Sequence, residues 1–169
     1  MVARLGERQP GGGRVTEVSV ELEVDAPVEA VWEVVSEPRH LHHWERHVAK
    51  VRDLPAGPLH AGASYTAVMR FLRVSADVHV RILRWEPPRF AEFRLTGPLE
   101  AVVRTTLRPL RGGRTTLRHE VDYAFPLGPI GAIAARSLAL VGGAQFALRR
   151  GALAQKREIE FRRSVEDQS

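Results

Sequence analysis

The sequence has no cysteine, two methionines, two tyrosines and only two lysines, Lys50 and Lys156. Without cysteine there is no disulfide framework, no thiolate metal site and no cysteine nucleophile. That usage fits a reducing compartment, and a cytoplasmic location is expected. The serine-elbow pattern, the phosphate-cradling glycine loop and the dinucleotide fingerprint are all missing. No inward carboxylates fall at the spacing of a glycosidase pair. Met1 to Gly13 lack the apolar stretch of a secretion signal. Gly11-Gly12-Gly13 after Pro10 reads as a flexible tail. The expected organisation is a tail over 1–14, one domain over 15–163 and a short tail over 164–169.

What is abundant is arginine. Twenty-three of the 25 basic residues are arginine, the net charge is +5 and the pI is about 10.6. A basic balance raises nucleic acid or an anionic membrane as partners. However, Arg81, Arg94, Arg104 and Arg118 share predicted outward faces with Asp77, Glu92, Glu120 and Asp122, the pattern of cross-strand ion pairs. Exposed aromatics between the basic residues, which a nucleic-acid surface would need, are absent from that pattern, so no nucleic-acid partner is expected. Hydrophobic residues make up 44% and charged residues 27% of the 169 positions, the balance of one globular domain.

Alternation begins at Glu17. Val18, Val20, Leu22 and Val24 face one way and Glu17, Ser19, Glu21 and Glu23 the other, a half-buried strand. Asp25-Ala26-Pro27 stops it. Val28, Val31, Trp32 and Val35 then recur at helical spacing, and Pro38 ends that helix. His40-Leu41-His42-His43-Trp44 follows as a second short turn. Strands are expected over Val48–Leu54, Ala63–Leu72, Val74–Ile82, Phe90–Thr96, Leu99–Arg108 and Thr115–Phe125, with Trp85-Glu86-Pro87-Pro88 as a turn. The short connections imply an antiparallel meander. From Leu127 to about Arg163 the chain is rich in Ala, Leu, Ile and Val. A helix of about 34 residues there would be roughly 50 Å long, with a bend at Gly142-Gly143. Arg136 and Gln145 interrupt the apolar run, so packing on a sheet is expected and not a membrane span.

Several of these stretches carry a resemblance. They are Val24-Asp25-Ala26-Pro27-Val28-Glu29-Ala30-Val31-Trp32, Trp44 after the Pro38 turn, Gly62 opening a strand, Trp85-Glu86-Pro87-Pro88-Arg89, Thr115 to Tyr123, and Phe125-Pro126-Leu127-Gly128-Pro129-Ile130-Gly131. Together they resemble the START-like, helix-grip (SRPBCC) superfamily, in particular its polyketide cyclase/dehydrase branch, over roughly Val15 to Arg163. The resemblance implies an α+β helix-grip fold. A curved seven-stranded antiparallel sheet would wrap around a long C-terminal helix, with two short helices between the first two strands. It also implies a cavity for a hydrophobic small molecule, without naming a reaction.

A curved sheet cannot close on a straight helix everywhere. Small residues such as Ala139 and Gly143 leave that gap open, or permit tight packing; both readings stand. Ile133 and Leu140 are expected to bury against the sheet. Inward positions of the strands offer Met69, Phe71, Val78, Phe93 and Thr105 as ligand contacts, with Trp44 as a cap on the entrance or a core residue. In the last strand Leu117, His119, Val121 and Tyr123 share a face, which makes His119 the one histidine expected inside. With Tyr65 and Tyr123 it forms a candidate catalytic set for proton transfer on an enolisable ketone. It would serve equally to orient a ligand, or simply as a satisfied core histidine. The set needs no cofactor, and none is expected. The histidines at 40, 42, 43 and 47 fit no metal-ligand spacing, so no metal is expected. The function expected is binding of a hydrophobic molecule as a polyketide cyclase/dehydrase-like protein, or as a non-catalytic carrier or sensor. Nothing in the sequence sets the oligomeric state.

Overall fold

The structure, a computed structural model, describes residues 15–71, 74–126, 128–140 and 142–166. The N-terminal segment expected as a tail lies outside them. Seven strands form one antiparallel sheet: β1 (Thr16–Val24), β2 (Val48–Arg52), β3 (Ser64–Phe71), β4 (Val74–Glu86), β5 (Phe90–Thr96), β6 (Glu100–Leu110) and β7 (Arg114–Ala124). Their order is β1-β7-β6-β5-β4-β3-β2. The meander thus runs from β2 to β7, and β1 returns to pair with β7 along its whole length, from Thr16 opposite Tyr123 to Val24 opposite Thr115. Between the two edge strands lie α1 (Val28–Val35), a 3-10 turn (Pro38–His40) and α2 (Leu41–Trp44).

The end of β4 lies beyond expectation. Trp85 and Glu86 do not turn the chain; they complete β4, opposite Ala91 and Phe90. A register shift between Ile82 and Arg84 resets the alternation and keeps Trp85 directed to the interior, where its ring lies 5.0 Å from that of Trp32. An irregularity of this kind bends a strand and tightens the local twist.

The C-terminal element is two helices and not one rod. These are α3 (Pro129–Leu140) and α4 (Gly143–Glu166), with a 63° bend between them. Gly142 and Gly143 have φ of +93° and +85°, a left-handed conformation open to glycine and costly for other residues. The α3 helix therefore ends at Leu140, and α4 starts in a new direction and runs beyond the expected end at Arg163. Among the described residues no single helix is long and apolar enough to cross a membrane.

The core sits where α1 and the second half of α4 close on one end of the sheet. Val24, Val31, Leu107, Leu117 and Ile159 are buried there, with Trp32 and Ala91. On α4 the buried positions are Ala152, Gln155 and Ile159, a three-then-four spacing that marks one helical face. Fully burying a side chain of Ile159's size contributes about 1.5–3 kcal/mol. The Thr115 hydroxyl donates to the Ala26 carbonyl at 2.8 Å, tying the entry of α1 to β7.

Candidate functional site

Burial along the inward row of β7 falls in one direction. On β7 Thr115 and Leu117 are fully buried and His119 is 7% exposed, while Val121 and Tyr123 are half-buried. On β6 Leu107 and Thr105 are buried, Val103, opposite Val121, is half-buried, and the small Ala101 beyond it is buried again. The same row continues to Phe93 on β5 and Val18 on β1, both half-buried. Large apolar side chains that point into the concave face are thus sealed at one end and accessible at the other.

His119 stands at the boundary. Its Nε2 lies 2.8 Å from Gln155 Oε1, and its Nδ1 lies 2.9 Å from Thr105 Oγ1. A carboxamide oxygen only accepts, so Nε2 carries the proton and donates to Gln155. Nδ1 then accepts from the Thr105 hydroxyl. Thr105 and His119 are directly opposed in the β6–β7 ladder, and Gln155 reaches them from α4. Burial holds the imidazole below its ordinary pKa, partly offset by the Gln155 hydrogen bond, so the ring is neutral at physiological pH. The Gln155 amide nitrogen donates to no group among the described residues.

Tyr65 is buried, and lies with Val78 and Val80 in a second cluster flanked by Met69, Leu95 and Phe93. Burial, with the Glu37 carboxylate adding to it, pushes its phenol well above the ordinary tyrosine range. Tyr65 is therefore a neutral phenol near neutrality. Tyr123 lies four residues beyond His119, about 14 Å along the strand, and meets Phe125 edge-on at 5.7 Å between ring centres. Both ring nitrogens of His119 are thus engaged by Thr105 and Gln155, with neither phenol as partner. Phe93 touches both clusters. Phe71 ends β3, and its side chain lies outside the described residues.

Trp44 packs on the core beside α1. Its Nε1, like His40 Nδ1, is buried with no hydrogen-bond partner among the described residues. An unpaired buried donor costs about 1–3 kcal/mol. Burial, with Arg162 nearby, lowers the pKa of His40. His40 stacks on His43 at 5.2 Å between ring centres, and His42 meets His43 edge-on at 4.3 Å. Among the described residues no three His, Asp or Glu side chains converge as a metal site would require.

On the helices, three expectations are corrected. Ile133 is 57% exposed and Leu140 75% exposed, and Ala139 is exposed as well. The bend at Gly142-Gly143 carries α3 away from the sheet, so these side chains do not line the concave face. Gly143 is half-buried, and a Cβ built on it would meet nothing within 4 Å. Gln155 went unnoticed in the sequence. The only signal for it is its place between Ala152 and Ile159 on one helical face. The outer face of the sheet pairs its charges: Arg104 with Glu92 at 2.9 Å and Asp122 at 2.7 Å, Arg118 with Glu120 at 2.9 Å, and Asp77 with Arg52.

With this geometry established, residues 15–157 match the model of a family described as polyketide cyclase / dehydrase and lipid transport. The chain belongs to that family. Two curated proteins of Mycobacterium tuberculosis, the uncharacterized proteins MT1597 and Rv1546, are each 33% identical over 128 residues, covering 71% of this chain and 87% of theirs. Among solved structures, the Zhui aromatase/cyclase from Streptomyces sp. R1128 matches with a TM-score of 0.72 at 20% identity, over 88% of this chain and 96% of that one. A START superfamily protein from Mycobacterium smegmatis matches at 0.64 and 17%, over 85% and 97%. At these identities the structural matches establish the helix-grip fold.

Proposed function

We propose that this member of the family holds a hydrophobic small molecule in the half-open part of the concave face, with Thr105, His119 and Gln155 at its closed end. The observation that carries the reading is the burial gradient on β7, with Val103 of β6 half-buried beside Val121. A sheet built only to pack would seal Val103 and Val121 as it seals Leu107 and Leu117. An apolar recess with a few polar groups is the usual form of a small-molecule site. The trio orients the molecule: Gln155 offers amide N–H donors at the floor, and the neutral imidazole fixes that amide. Proton transfer by His119 would require Thr105 or Gln155 to yield its bond. The contribution of the site to any cyclisation or dehydration is therefore mainly to hold one productive conformer in a dry recess, with acid–base help from His119 second. Trp44 Nε1 supplies a further donor near the core edge, and Val78, Met69 and Phe93 extend the apolar wall.

The test combines native mass spectrometry with an environment-sensitive apolar dye. The wild-type protein is expected to carry a non-covalent apolar adduct or to bind dye. Val121→Trp should abolish both while the melting temperature stays within a few degrees. If neither adduct nor dye is seen, and Val121→Trp destabilises as much as Leu117→Trp, the concave face is packed and the proposal fails. Incubation with a synthetic poly-β-ketone thioester, followed by mass spectrometry, then separates a cyclase from a carrier.

A further inference from the structure

The exposed side of the C-terminal helices has an unusual composition. Its large hydrophobic residues are turned outward: Ile133 and Leu140 on α3, with Phe146 (55% exposed), Leu153 and Phe161 (66%) on α4. On α4 the spacing of seven and eight residues places the three on one side of the helix. Large side chains on a solvent-facing helix normally signal a covered surface.

Charge on this side has one sign. Arg136, Arg149 and Arg157 are exposed between the apolar residues, and none has an ion-pair partner among the described residues. The sequence has no acid between Asp122 and Glu158. Glu158 and Glu160 sit on the flank of α4 and are engaged by Arg162 and Lys156. No described exposed position of α3 or α4 is acidic.

We propose that this side of α3 and α4 docks on an anionic lipid bilayer. Apolar residues alternating with arginine match a surface that supplies acyl chains beneath and phosphates above. A second copy of the chain fits less well. A two-fold contact through this side would set the same arginines against one another, with no acid to pair them.

Flotation of the full chain with vesicles tests this. Binding is expected to vesicles of phosphatidylcholine with about one-third phosphatidylserine and not to phosphatidylcholine alone, with release in high salt. An arginine at an anionic surface contributes about fivefold to binding. The triple variant Arg136→Ser, Arg149→Ser, Arg157→Ser should therefore bind about a hundredfold more weakly. Phe146→Ser with Phe161→Ser should also release the protein. All five positions are exposed, so circular dichroism and melting should match the wild type. Failure to bind anionic vesicles overturns the proposal, as does binding that both variants retain. A wild-type dimer in light scattering that Phe161→Ser dissociates assigns the surface to self-association and also overturns it.

Discussion

Acid should weaken this fold through His119 in a way that a single substitution isolates. The imidazole is buried, with Nε2 donating to Gln155 and Nδ1 accepting from Thr105. Its pKa in the folded state is below the ordinary value of 6.5. Unfolding restores that ordinary value, so between the two pKa values the unfolded chain binds more protons. Stability is then full above the unfolded pKa and is lost as pH falls from about 6.5 towards the folded pKa. The slope for one proton is about 1.4 kcal/mol per pH unit. For a domain of this size 1 kcal/mol shifts the melting temperature by about 2–4 °C, so within that window a pH unit should cost at most about 3–6 °C. His40 is also lowered by burial and adds to the wild-type slope. The comparison with His119→Gln cancels that contribution. That variant starts lower at pH 7.5, because Thr105 and Gln155 lose their partner, and should fall less steeply to pH 5. Parallel curves for the two proteins would refute the buried neutral imidazole. Nitrogen-15 NMR of the ring at pH 7 should show a protonated Nε2 and an unprotonated Nδ1.

Further outcomes follow from the packing. Ile159→Ala removes a fully buried side chain from the grip of α4 on the sheet and should cost about 2–5 kcal/mol in chemical denaturation, whereas Leu153→Ala, on the exposed side, should be nearly silent. Thr105→Val keeps volume but removes the hydroxyl that donates to His119; a loss of about 0.5–1.5 kcal/mol is expected, together with a changed Nδ1 chemical shift. A Cβ at Gly131 would fall on the carbonyl oxygen of Pro126. Gly131→Ala should therefore displace the start of α3 and expose the Pro126 peptide to limited proteolysis, while Gly57→Ala, where a Cβ meets nothing within 4 Å, should not.

The strands were legible because alternation is a local signal: each of Leu117, His119 and Val121 declares its side by its neighbours. That reasoning set His119 inside before any partner was known. It could not supply Gln155, which comes from a helix 36 residues away and whose face depends on how that helix docks. The face of α3 was illegible for a related reason. Pro129 to Leu140 holds one charge, Arg136, so it is apolar nearly all round and no direction stands out. Gly142-Gly143 signalled a bend but not its angle, and the angle decides that Leu140 points to solvent. The register shift in β4 misled the reading of Trp85, because one inserted residue inverts a period-two pattern.

The uneven sealing of the concave face also has a kinetic meaning. Backbone amides near Leu107 and Leu117 lie beneath α1 and α4, and their exchange with solvent deuterium requires the whole domain to open. Those near Val103 and Val121 have only half-covered side chains above them and can exchange through local fluctuation. Under the proposed binding role, material would enter and leave the recess without loss of the folded state, with residence governed by local breathing and not by the lifetime of the fold.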